Sequence, residues 1–310
     1  MTNIAWHQTA LPILAARRGY DALFLPAANR RVPLFAPCPM IGTVHDFSGI
    51  HVADKYDPAR MFYIRKVLPF LVRRLDHVLT VSEASRTDII EYAGVAPDKV
   101  TVTPLAADAN VFYPADREAA RAQVEDHFGV KGPYLLYISR IEHPGKNHAR
   151  LIRAFDRLKT REDIPHQLLL AGSDRERADE VHEAAAAARH AKDIHFTGFV
   201  PNADVPALYR GAEAFLFPSL YEGFGLPLLE AMACGTPVAA ANLSSLPEVA
   251  GDAALLFDPY DEEQIRDAIW RLISDDELRE TLVSKGIKRA SGYTWDRCAD
   301  ETLRVIRSVV

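Results

Sequence analysis

Short apolar runs alternating with amphipathic segments set the pattern of this chain. Residues 21–25, 40–44, 77–81 and 100–103 each read as a short strand, and between them lie helical periodicities at 8–18 and at 58–75, the latter interrupted at Pro69. Ser82, directly after the third run, has the chemistry of a helix N-cap, an oxygen that accepts an otherwise orphan backbone N–H. The pattern restarts beyond Pro114. Apolar runs at 134–138, 167–171, 194–197, 214–218, 237–240 and 254–257 alternate with helical segments at 147–159, 175–191, 203–210 and 227–234. A short helix opens at Pro247, and further helices are expected at 261–273, 275–290 and 295–310. Near-continuous apolar strands separated by helices predict an α/β fold with parallel, doubly wound sheets. The break through 110–120 divides the pattern into two Rossmann-like domains, 1–112 and 113–294. The amphipathic helix 295–310 is expected to pack back toward the first.

Composition narrows the picture. At 310 residues, with 48% hydrophobic and 25% charged residues, the chain is long enough for two domains of ordinary globular make-up. No apolar run approaches the ~18 residues a membrane helix needs, and the first residues lack the basic-then-apolar layout of a secretion signal. Three distant cysteines, Cys38, Cys234 and Cys298, fit a reducing compartment and argue against a disulfide or zinc framework. The expected location is therefore cytoplasmic.

The net charge of −6 excludes general nucleic-acid binding, but it is unevenly spread: residues 1–110 carry 12 Lys and Arg against 10 Asp and Glu, the remainder 24 against 32. Paired bases, Arg30-Arg31, Arg65-Lys66 and Arg73-Arg74 among them, gather in the first part. The basic 58–75 helix has two readings, a solvated face or a peripheral contact with the inner face of an anionic membrane.

In open parallel sheets, ligands bind beyond the carboxyl ends of the strands. After the 134–138 strand come Arg140, Gly145, Lys146 and Asn147, a planar fork and a mobile point charge suited to a diphosphate. Gly198-Phe199-Val200-Pro201 after the 194–197 strand is an apolar turn of a kind that holds a flat base. The 214–218 strand leads into Glu222-Gly223-Phe224-Gly225-Leu226 and a helix opening at Pro227. A glycine-containing turn feeding a helix N-terminus attracts anions, because free N–H groups and the helix dipole face the same way. Glu222 and Glu230 flank that turn. The competing reading is an ordinary strand–turn–helix connection with two solvated glutamates.

Taken together, residues 137–155, residues 198–259 and the closing YTWDRCAD resemble the large family of retaining, nucleotide-sugar-dependent GT-B glycosyltransferases with an E-x7-E motif (glycosyltransferase family 4, mannosyltransferase-like). Residues 41–113 resemble the family's N-terminal domain through TVHDFS, VSEASRTDI and VTVTPLAADANVFYP. The resemblance implies two Rossmann-like domains facing across a cleft. It assigns Arg140 and Lys146 to the donor diphosphate, Glu230 to the ribose hydroxyls and Glu222 to the donor sugar. It places the backbone of Phe224, Gly225 and Leu226 toward phosphate or sugar hydroxyls, Val200 and Pro201 at the base, and His45 against the transferred sugar. The implied partners are a nucleotide-sugar donor, GDP-mannose ahead of UDP-sugars, and a glycan or lipid-linked acceptor.

No cofactor or metal is expected, since no DxD motif is present and cationic side chains take that role in the family. The family's leading strand and glycine-rich loop have no counterpart ahead of the 8–18 helix, which implies a shortened N-terminal domain. That leaves a second functional expectation open, a nucleotide-sugar-binding protein with little transferase activity.

Overall fold

The computed structural model describes residues 2–53 and 56–310; the side chains of residues 2–4 and of Arg30 lie outside that description. Contacts divide the chain into two compact units. The first comprises Met1–Leu105, Glu222–Phe224 and Thr294–Val310, and the second Ala106–Tyr221 and Gly225–Tyr293.

In the first unit, α1 (Thr2–Gln8) and α2 (Ala10–Arg18) precede β1 (Leu23–Leu25) and β2 (Met40–Thr43). After them come α3 (Ser48–His51), α4 (Pro58–Phe62), α5 (Leu68–Val72), β3 (His77–Thr80), α6 (Glu83–Ala93) and β4 (Val100–Val102). The strands are parallel and stand in chain order, β1-β2-β3-β4. Sequential order with right-handed crossovers puts the connections on one face. There Leu23, Leu25, Met40 and Val78 pack with Leu68, Leu71, Val72, Leu75 and Ile89. Strand alternation turns Ile41 and Leu79 to the other face, where Val305 of α15 (Trp295–Val309) covers them.

The expected 58–75 helix takes a different form. α4 and α5 are joined by a π-helical turn, Tyr63–Val67, and the run ends at Val72. Pro69 has no N–H to give and its ring crowds the carbonyl four residues back, so the chain widens ahead of it instead of breaking.

The second unit opens with α7 (Arg117–Phe128), a helix the apolar pattern does not announce, capped by the Asp116 carboxylate on the Glu118 and Ala119 N–H groups. It continues as β5 (Tyr134–Ile138), α8 (His148–Arg161), β6 (Gln167–Ala171), α9 (Ala178–Ala186), β7 (Ile194–Gly198) and α10 (Val205–Gly211). The remainder is β8 (Ala214–Phe217), α11 (Leu226–Ala233), β9 (Val238–Ala241), α12 (Leu246–Ala250), β10 (Ala254–Phe257), α13 (Glu262–Ser274) and α14 (Asp276–Ser291). Its parallel sheet has the order β10-β9-β8-β5-β6-β7. Leu135, Leu136, Leu168, Leu169, Phe215 and Leu216 are fully buried, as strands covered on both faces require. The order reverses between β5 and β8, and the carboxyl ends of those two strands form the crevice where such sheets take ligands.

The expected boundary lay at 112/113, and the contacts place it between Leu105 and Ala106. Residues 106–116 belong with the second unit because Arg210 donates to the carbonyls of Val111 and Tyr113, at 2.9 and 2.8 Å.

Candidate active site

Two clusters of the expected site residues emerge, one in each unit. In the second unit, Arg140 and Lys146 follow β5, Val200 and Pro201 follow β7, and Gly225, Leu226 and Glu230 follow β8, all at the carboxyl edge of the sheet. Gly225 has φ 94, a conformation L-residues avoid, and a Cβ there would meet Leu246 Cδ2 at 2.6 Å. The turn needs glycine at that point to open α11.

Arg140 is half-exposed and held by Glu142, Nη2 to Oε2 3.2 Å, with the glutamate side chain nearly buried. Lys146 is half-buried, and its carbonyl accepts from Tyr137 Oη at 2.9 Å. His148, on the first turn of α8, is fully buried with Nε2 3.1 Å from Ser139 Oγ. Burial pushes its pKa down to about 3, so it stays neutral beneath the cationic loop.

Glu230 lies on the inner part of α11. Burial raises its pKa above the usual carboxylate value, opposed by the hydrogen bond that Tyr209 Oη donates to Oε2 at 2.9 Å. Tyr209 is fully buried and held protonated, first by desolvation and then by the Glu230 charge. Nothing in the spacing of the sequence marks Tyr209 as the partner, because it sits in α10 amid an apolar run. Cys234, just past α11, has its thiol pushed up to about 12 by burial and so is no nucleophile at neutral pH.

The first unit gathers His45, Glu222 and Phe224. The Gly223 carbonyl accepts from Ser82 Oγ at 2.6 Å and from Ser85 Oγ at 3.2 Å, and Ser85 Oγ also reaches the His45 carbonyl at 3.0 Å. A Cβ on Gly223 would stand 2.3 Å from that carbonyl, so the segment docks only as glycine. Ser82 caps α6 as expected, accepting from the Ser85 N–H, and its own proton is committed to Gly223. Asn29 clasps the 45–46 turn, accepting from the His45 N–H and donating to the Asp46 carbonyl. His45 Nε2 is 3.1 Å from the Pro26 carbonyl, an acceptor only, so Nε2 carries a proton. The sequence marks Ser85 only as a residue of the turn after the Ser82 cap and does not mark Asn29, since hydrogen bonds to backbone carbonyls leave no spacing signature.

Comparison with known proteins identifies the family and the fold. Residues 120–289 match the family model described as "Glycosyl transferases group 1", and residues 3–111 match "Glycosyltransferase Family 4". The chain is 34% identical over 268 residues to O-antigen chain mannosyltransferase B of Escherichia coli, spanning 86% of this chain and 70% of that protein. It is 31% identical over 283 residues to serotype-specific mannosyltransferase WbdA of Escherichia coli, spanning 89% of this chain and 33% of WbdA, about a third of that relative's length. Among solved structures, sucrose-phosphate synthase from Thermosynechococcus elongatus shares the fold with a TM-score of 0.80 at 23% identity, over 98% of this chain and 77% of that one. Anabaena HepE, solved with UDP and glucose, matches with a TM-score of 0.80 at 21% identity, over 96% and 80%. Two parallel sheets of this topology, a switch point lined by cations and both family matches lead to one conclusion: the chain belongs to the group 1 glycosyl transferases, with the GT-B fold.

Proposed function

We propose that the chain transfers a hexosyl group, mannosyl from GDP-mannose ahead of sugars carried on UDP, to a glycan or lipid-linked acceptor with retention of anomeric configuration. The observation that carries this reading is the convergence of Arg140, Lys146, the Gly225 turn and Glu230 on the carboxyl edge of the second sheet. Breaking a sugar–phosphate bond leaves a diphosphate whose charge needs stabilising. Arg140, Lys146 and the N–H groups opening α11 supply a fixed positive field for it. Glu230, half-buried and paired with Tyr209, offers a carboxylate to the ribose hydroxyls, while Glu222 and His45 serve the sugar. Front-face attack, with the leaving phosphate taking the acceptor proton, needs no separate general base. The mannosyltransferase relatives favour mannose.

A thermal-stabilisation screen tests the donor. GDP-mannose at 100 times its Kd should add about 2.7 kcal/mol of stability, and proton NMR of the product should show the donor's anomeric configuration. Stabilisation by UDP-sugars alone, or an inverted product, would overturn the corresponding part of the reading. Donor binding with no transfer would instead select a binding protein.

The same reading places the acceptor at a membrane surface. Among the described residues no helix is long and apolar enough to cross a membrane. The exposed side of the α4–α5 run, however, presents Phe62, Arg65, Lys66, Phe70, Arg73 and Arg74, with Phe62 64% and Phe70 51% exposed. Arg74 lies 5.8 Å from the Phe70 ring centroid and donates to the Leu34 carbonyl, which brings the exposed Leu34 and Phe35 alongside. Among the described residues none of these four bases has a carboxylate partner. Aromatic side chains among unpaired cations suit the headgroup region of an anionic bilayer. Vesicles of phosphatidylcholine with phosphatidylglycerol should sediment the protein. Changing all four bases to Gln should weaken that binding about a thousandfold, at ~1 kcal/mol per base. Equal binding after neutralisation would rule the surface out.

A further inference from the structure

Lys146 is held from both sides by a polar brace that the donor-site reading does not use. On one side, Tyr137 of β5 is buried and donates its single hydroxyl proton to the Lys146 carbonyl at 2.9 Å. Ser219 Oγ, 3.0 Å away and fully buried, must therefore donate to Tyr137, which fixes the direction of the chain Ser219 to Tyr137 to Lys146. On the other side stands Asn147, 2% exposed and left-handed at φ 60, ψ 26. Both protons of its side-chain amide are used, one on the Pro218 carbonyl at 3.1 Å and one on the Pro259 carbonyl at 2.8 Å, and its oxygen accepts from Arg150 Nη1 at 2.9 Å. Leu220 N–H adds a bond to the Gly145 carbonyl at 2.9 Å. The loop after β5 is thus tied to the loop after β8 and to the segment after β10, with Lys146 at the knot.

We propose that Tyr137 and Asn147 are positioning residues for the Lys146 ammonium, holding its backbone so that the charge meets the departing diphosphate without reorganisation. The idea rests on the assignment of Lys146 to the diphosphate. A charge already in place contributes far more to the transition state than one that must be gathered there, and a supporting shell sets that placement. A satisfied buried network with no spare donor is suited to the task, since any displacement leaves a buried polar group unpaired.

The test uses the full chain and two variants that change little else. Tyr137→Phe removes one oxygen. Asn147→Gly keeps a residue at ease with positive φ while deleting the clamp. Each should lower kcat for sugar transfer about ten- to hundredfold with a smaller change in donor KM, because the lost alignment matters most as the diphosphate departs. The decisive measurement repeats both substitutions in a Lys146→Ala background. There they should cost less than twofold, as expected when two residues act through a third. Wild-type turnover in Tyr137→Phe and Asn147→Gly beside a collapsed Lys146→Ala would overturn the brace, and so would equal losses in both backgrounds. Should Asn147→Gly fail to fold, Tyr137→Phe alone decides. Full turnover in Lys146→Ala would overturn the donor-site assignment instead, so the two failures are distinct.

Discussion

Lys146→Ala is expected to lower sugar transfer by about 10²–10³, the loss typical of removing one donor from a preorganised charge-stabilising site. Arg140 is half-exposed and already paired with Glu142, so part of its field is compensated. Taking it away would also strip the ion-pair partner from a nearly buried carboxylate. Any loss on Arg140→Ala therefore mixes stability with catalysis. Lys146 sits between Gly145 and Asn147 in a loop whose backbone is held by bonds from Leu220 and Tyr137. Initial rates with saturating donor, taken with melting temperatures, separate the two effects. An unchanged melting point with near-normal turnover would remove Lys146 from the mechanism.

Glu230→Gln should do two opposite things. Burial raises the Glu230 pKa above its ordinary value, so the folded chain holds that proton more tightly than the unfolded one. For a group raised on folding, the stability contribution is complete below the unfolded pKa and is lost as pH rises through the folded value. As pH rises toward neutral, the half-buried carboxyl group therefore becomes a burden on the ligand-free protein. The glutamine variant should melt higher than the parent at pH 7.5, and the two should converge in acid. Tyr209 keeps its acceptor in the amide oxygen, so no buried phenol is orphaned. Donor affinity should move the other way. Hydrogen bonds to a charged acceptor are worth about 1.5–3 kcal/mol, so losing the charge should weaken nucleotide-sugar binding about ten- to hundredfold. In the parent, affinity should fall as pH drops through the Glu230 pKa. Calorimetric titration across pH checks both, and a variant that is neither more stable nor weaker in binding would remove the ribose role.

Much of the second unit is legible from its sequence, because buried parallel strands are written as unbroken apolar runs; β5 falls on the expected residues, 134–138. Ser82 as a cap is equally plain, since the signal is local. α7 was masked by the reading of 110–120 as a break, although Asp116 ahead of Glu118 is a cap signal. The unit boundary shifts because it depends on where Arg210 reaches, nearly a hundred residues along the chain. The brace around Lys146 is illegible for a related reason. Tyr137 looks like one more core residue of a strand, and Asn147 bonds to carbonyls 71 and 112 residues away, where the identity of the residue that owns the carbonyl carries no information. The π turn ahead of Pro69 shows the limit of a breaker residue as a signal. The proline is visible in the sequence, but whether the chain kinks, stops or widens depends on what packs around it.

The placement of α15 over Ile41 and Leu79 orders events during synthesis. β1 to β4 leave the ribosome first, yet one face of their sheet has no cover until residues 294–310 follow, after the whole second unit has emerged. The second unit, contiguous apart from three residues, closes its core on its own segment. The unit encoded first is therefore completed last, and through that interval its apolar face is exposed to whatever else the cell presents.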